Sequence, residues 1–176
     1  SVIDPSFISA SIISIIFGIL FLLSNLNHDK KLNLHQAFLL TALSWVSIAI
    51  FGSLPFIFSS LDLTITDAFF ESMSGITTTG STILSNLEQT PKAILLWRAI
   101  LQWLGGIGII VMAITLMPIM NVGGMKLFKI SSNDSSEKIL PKSKEIALRL
   151  VLIYSSLTLL CAISYKIFGM NFFDSF

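Results

Sequence analysis

Apolar residues gather in four long runs, at 7–26, 34–58, 91–120 and 146–168, separated by shorter polar stretches. About 20 apolar residues at ~1.5 Å rise cross a ~30 Å hydrocarbon core. Each run is therefore predicted to be a membrane-spanning helix. The first two contain no Asp, Glu, Lys or Arg. Between the second and third runs the pattern changes. A polar connection, Ser59 to Thr66, leads into Asp67–Ile76, which reads as a helix of about ten residues, ~15 Å long and half the hydrocarbon thickness. Thr66 or Asp67 is placed to cap it. Gly75 and the threonines after it are poor helix residues and are expected to stop it. The loop that follows reads Thr77-Thr78-Thr79-Gly80-Ser81.

Within the third run, Leu104-Gly105-Gly106-Ile107-Gly108 puts three small residues on one turn, which in lipid allows close approach of helix backbones. Pro55 is expected to bend the last turn of the second run. The segment 121–145 reads as a polar loop, marked by Gly123-Gly124 and by the serines between 131 and 136.

Composition supports a membrane setting. Of 176 residues, 53% are hydrophobic and 12% charged, and the mean hydropathy is +0.84. Soluble domains carry about 25% charged residues. A formal net charge of +1 argues against a nucleic-acid partner, which would call for a basic face. The single cysteine, Cys161, excludes a disulfide framework within the chain. His28 and His35 flank a charged loop and are expected at the interface, away from Glu71 and Arg98. No nucleophile and base are thereby paired, which argues against an intramembrane enzyme. The chain begins at Ser1 without a basic leader and ends in Phe172-Phe173-Asp174-Ser175-Phe176, so both ends read as cuts through a longer protein.

Charge gives an orientation. Lys30 and Lys31 in one loop, and Lys126, Lys129, Lys138, Lys142, Lys144 and Arg149 in another, make eight of the 11 basic residues. Basic residues collect in cytoplasmic loops. The two segments share a face only if two spans separate them, which requires 67–81 to enter and leave the membrane on the opposite side. Asp4, Asp62, Glu88 and Lys92 fall on that outer side.

Non-helical backbone at membrane depth must be packed in protein or line a water-filled cavity. Thr77 to Gly80 therefore offers four successive carbonyls to a cation, as filters built from carbonyl rings do. Gly80 can take a positive φ, and the short helix aims its negative end at the loop. The plainer alternative is a polar turn. Arg98 is the one charge well inside the third run, where a charge is costly. It is expected either to pair with Glu71, bracing the short helix against the next span, or to extend towards the outer interface. The resulting fold class is an all-α membrane protein, with transmembrane helices, a re-entrant pore helix and a selectivity-filter loop. A non-conducting structural or assembly subunit, and a cation channel of other selectivity, stay open as alternatives.

Three stretches also resemble a known family. Asp67-Ala-Phe-Phe-Glu-Ser-Met-Ser-Gly-Ile-Thr-Thr-Thr-Gly80, Trp97-Arg98 with Leu101 to Gly108, and Leu116-Met117-Pro118 with Asn121 to Met125 are similar to the first repeat of the TrkH family, within the Trk/Ktr/HKT potassium transporters. The resemblance implies a pore built from four helix–pore loop–helix repeats in one polypeptide. It implies an N-terminal helix and cytoplasmic loop over 1–33, a complete first repeat over 34–120, a cytoplasmic loop over 121–145, and the opening helix of a second repeat over 146–176. It implies that K+ is the transported ion, held by carbonyls of Thr78 and Thr79, with Gly80 as filter glycine and Thr77 and Ser81 in support. It further implies a bacterial inner-membrane location, a homodimer of the full-length protein, and a cytoplasmic nucleotide-binding TrkA-like partner facing the basic loop, with no organic cofactor.

Overall fold

The computed structural model describes residues 5–25, 34–116 and 139–175. Among them every regular element is helical: α1 (Pro5–Ser24), α2 (Leu34–Ile57), α3 (Ile65–Ile76), a 3-10 turn (Leu87–Gln89), α4 (Lys92–Leu116), α5 (Ile139–Ile167) and a single turn, α6 (Phe172–Ser175). Four of these are long and apolar enough to cross a membrane, through Pro5–Ser24, His35–Ile57, Lys92–Ala113 and Ala147–Ile167. Helix α3, with 12 residues, is ~18 Å long at 1.5 Å per residue and is not among them.

The chain divides into two compact units, 1–106 and 107–176. In the first, Phe56, Ala68, Ile94 and Leu101 form a buried cluster, with Phe7, Ile57, Leu61, Leu63 and Trp97 packed on it. Trp97 ties three helices together. Its indole N–H donates to Gly52 O of α2 at 2.9 Å, and its ring meets Phe7 of α1 edge-on, with centroids 6.0 Å apart. Outside this small core the helices expose large apolar side chains, such as Phe21 and Leu22. That is the surface a hydrocarbon solvent requires. Hydroxyls on these helices satisfy themselves locally: Ser14, Thr41 and Ser44 each donate to the carbonyl four residues back.

The second unit holds the end of α4, then α5 and α6. Helix α5 begins at Ile139, whereas the polar pattern predicts loop as far as 145. Pro141 lies in the first turn, where a missing N–H costs nothing. Glu145 and Arg149 form an i,i+4 ion pair at 2.6 Å that is exposed on both sides. The helix closes at Gly169, whose φ is 99°. The basic residues at 30, 31, 126, 129 and 138, and the glycines at 123 and 124, lie outside the described residues.

Candidate functional site

Helix α3 starts two residues earlier than the sequence suggests, at Ile65. Its cap is Thr64, not Thr66 or Asp67. The Thr64 hydroxyl accepts from Asp67 N at 3.2 Å, and the Asp67 carboxylate accepts from Thr64 N at 3.3 Å. This reciprocal box satisfies two N-terminal donors together, which neither Thr66 nor Asp67 alone would do. Gly75 does not stop the helix. It lies in the last turn against Leu101, whose Cβ would stand 3.1 Å from an added Cβ, and Thr77 is the C-cap. Gly105, in the small-residue cluster of α4, lies directly over Ile76 at the same end of α3. A Cβ there would overlap the Ile76 carbonyl. Gly105 thus lets α4 approach the base of the threonine loop.

The loop folds back onto the helix that precedes it. Thr78 N donates to Gly75 O at 2.9 Å, and Thr79 N and Gly80 N donate to Ser74 O at 3.0 and 3.3 Å. Thr78 takes a left-handed conformation with φ 58°, and Gly80 one with φ 78°. The positive φ expected at Gly80 is present; the one at Thr78 was not foreseen. Thr77 to Gly80 are all exposed.

Behind the loop sits an ion pair. Arg98 Nε donates to Glu71 Oε2 at 2.9 Å, and the Glu71 side chain is completely buried. Arg98 Nη2 continues to Gly80 O at 2.8 Å and Ser81 O at 3.3 Å. The other carboxylate oxygen, Oε1, accepts from the Thr82 hydroxyl and from Ile83 N, both at 2.6 Å. Ser74 Oγ donates to Ser81 O at 2.7 Å. One buried carboxylate thus gathers a helix, the exit from the loop, and the following span. Its charge is balanced by Arg98 and its two oxygens accept three hydrogen bonds, the pairing that a buried charge requires. Sequence reasoning finds Glu71 and Arg98 because charges are rare in apolar runs. It misses Thr82 and Ser74, since neither carries a signal until the loop is folded.

The carbonyls divide into two sets. Those of Gly80 and Ser81 are engaged by Arg98 and Ser74. Among the described residues, no hydrogen bond reaches the carbonyls of Thr77, Thr78 or Thr79. Three adjacent acceptors, exposed and unpaired at the end of a helix, can take a donor or a cation.

Comparison with known proteins bears on what that ligand is. The sequence model of the TrkH family, described as cation transport protein, matches residues 3–172. The Trk system potassium uptake protein TrkI of Halomonas elongata is 50% identical over 140 residues, covering 80% of this chain and 28% of the relative. TrkH of Escherichia coli is 46% identical over 154 residues, covering 86% and 32%. TrkG of Escherichia coli is 33% identical over 148 residues, covering 82% and 30%. The chain therefore spans about a third of the length of the curated relatives it matches. With four spanning-length apolar helices and a family match over nearly its whole length, the chain is an all-helical, multi-pass membrane protein and belongs to the TrkH family of cation transport proteins.

Proposed function

We propose that this chain supplies one segment of the wall of a potassium path, as part of the pore-forming subunit of a Trk-type uptake system. The observation that carries this reading is the sorting of carbonyls around the loop. Gly80 and Ser81 are tied down, while Thr77, Thr78 and Thr79 keep free oxygens. Carbonyl oxygens in such a row replace the hydration shell of a permeating cation. Thr78 and Thr79 are its direct K+ ligands, and Thr77, Gly80 and Ser81 hold the loop. Glu71 cancels the charge of Arg98 next to the path, which would otherwise repel cations. The names of the relatives, potassium uptake proteins of Trk systems, favour K+ as cargo.

In this reading α3 dips into the bilayer and the loop returns on the same side, so that 34–120 forms one helix–pore loop–helix repeat. The loop faces the periplasm, and the basic segments 27–33 and 121–145 face the cytoplasm of a bacterial inner membrane. The remaining filter segments come from chain beyond the length present here. A homodimer and a cytoplasmic nucleotide-binding partner complete the system.

The test is rescue of a bacterium lacking potassium uptake by the full-length protein. Growth on low K+ is expected with the native sequence, and loss of it with Gly80→Asp or Thr79→Pro at normal membrane abundance. Rescue and ion preference left unaltered by both substitutions would remove the filter assignment.

A further inference from the structure

Helices α3 and α5 end in the same backbone motif. In α5, Gly169 N bonds to Lys166 O and Met170 N to Tyr165 O, both at 3.2 Å. In α3, Thr78 N bonds to Gly75 O at 2.9 Å and Thr79 N to Ser74 O at 3.0 Å. Each is a Schellman ending, with one residue in the left-handed region just past the cap. Gly169 fills that place in α5, with φ 99°; Thr78 fills it in α3, with φ 58°. Glycine adopts the conformation freely, whereas a β-branched residue there is a strained outlier. Strain of this kind persists only where surrounding contacts enforce it.

The flanking side chains provide the enforcement. Thr77 Oγ1 donates to Met73 O at 2.7 Å, and Thr77 Oγ1 and Thr79 Oγ1 are 2.9 Å apart. A hydroxyl has a single proton to donate. That of Thr77 is committed to Met73, so Thr79 donates to Thr77. The result is a directional relay, from Thr79 to Thr77 to the Met73 carbonyl, which bridges Thr78 from both neighbours.

We infer that Thr77 and Thr79 are positioning residues, whose hydroxyl relay holds Thr78 in its left-handed conformation and so sets the direction of the three free carbonyls. The hydroxyls act as struts, and cation discrimination depends on them indirectly, through the backbone. This inference rests on the reading of the loop as part of a cation path.

The experiment uses the full-length protein in a bacterium lacking potassium uptake, with membrane abundance measured alongside Rb+ uptake in competition with Na+. Thr79→Val removes the donor at constant shape and is expected to lower Rb+ over Na+ discrimination about five-fold, the scale of one net hydrogen bond. Thr79→Ser keeps the hydroxyl and should lose clearly less discrimination than Thr79→Val. Thr77→Val removes both links and should lose at least as much as Thr79→Val, and the double variant should be no worse than Thr77→Val alone, because the relay is already broken. Thr78→Gly added to Thr79→Val should restore most of the loss, since glycine needs no enforcement. Native discrimination in Thr79→Val, an equal loss in Thr79→Ser, or no restoration by Thr78→Gly would overturn the inference. If Thr79→Val fails to reach the membrane, accumulation of the Thr78→Gly/Thr79→Val variant supports the relay, and its continued absence counts against it. Silent threonine variants alongside a Gly80→Asp variant that abolishes uptake defeat the relay alone. Unaffected Gly80→Asp and Thr79→Pro variants defeat the path reading itself.

Discussion

Arg98 holds Glu71 by its Nε at 2.9 Å and, with Nη2 of the same guanidinium, holds the carbonyl of Gly80 at 2.8 Å. The ion pair is therefore part of the loop's own scaffold. Glu71 is fully buried and Arg98 retains only 14% exposure, so neither charge is compensated by water to any large extent. Their geometry links the middle of α3, the end of the threonine loop and the second turn of α4 into one rigid corner.

Removing either charge should damage that corner in a different way. Glu71→Gln can still accept from Thr82 and Ile83, but it then turns an amide N–H towards Arg98, donor against donor. Arg98→Gln leaves Glu71 charged with two donors remaining and frees the Gly80 carbonyl. Breaking a buried pair from one side costs ~3–5 kcal/mol. Each variant is expected to lower both membrane abundance and K+ uptake several-fold in the full-length protein. Uptake by the double variant should exceed the product of the single losses, and the swapped pair Glu71→Arg/Arg98→Glu should recover some activity. Strictly additive losses would mean that the two residues do not act together.

A second contact is set by a side chain that is out of place. Ser72 is completely buried in α3, and its Oγ has no hydrogen-bond partner among the described residues. It faces Gly52 of α2, where an added Cβ would lie 2.5 Å from that oxygen and 3.2 Å from Leu101 Cδ2. An unpaired buried hydroxyl costs ~1–3 kcal/mol. Ser72→Ala should therefore leave the thermal midpoint of the purified protein unchanged or raise it. Gly52→Ala should lower it, and Ser72→Ala should recover part of that loss by removing the nearest clash. A lower midpoint in Ser72→Ala would show that the hydroxyl has a role in the assembled protein.

The four long helices were legible because length and apolarity alone identify a span, and, apart from the end of the third, the spanning stretches begin and end within two residues of the apolar runs. The start of α3 was not, because the Thr64–Asp67 box is recognised only once both directions of hydrogen bonding are seen. Gly75 misled for a physical reason. A glycine is unfavourable in an isolated helix, yet here its missing Cβ makes room for Leu101. The start of α5 was obscured by polar residues that fold into the helix ahead of its apolar stretch. Glu71 and Arg98 stood out as isolated charges, and Gly80 as the residue able to take a positive φ. Thr78 did not, since nothing in a Thr-Thr-Thr string says which threonine is left-handed. That depends on where the helix ends, and the Schellman bonds to Ser74 and Gly75 place it.

Thr82 offers the sharpest test of how the buried carboxylate organises the loop exit. Its Oγ1 donates to Glu71 Oε1 at 2.6 Å and accepts from Leu84 N at 3.1 Å. Thr82→Val keeps the shape, withdraws one of three donors from the buried Glu71 carboxylate and leaves the exposed Leu84 N–H to solvent. A cost of ~1–3 kcal/mol follows, read as a lower thermal midpoint of the full-length protein, while Thr82→Ser should be near native. The effect should grow in the Arg98→Gln background, where Thr82 and Ile83 are the donors left to the carboxylate. If Thr82→Val costs no more there than in the native protein, Thr82 and Arg98 do not share Glu71 as their common acceptor.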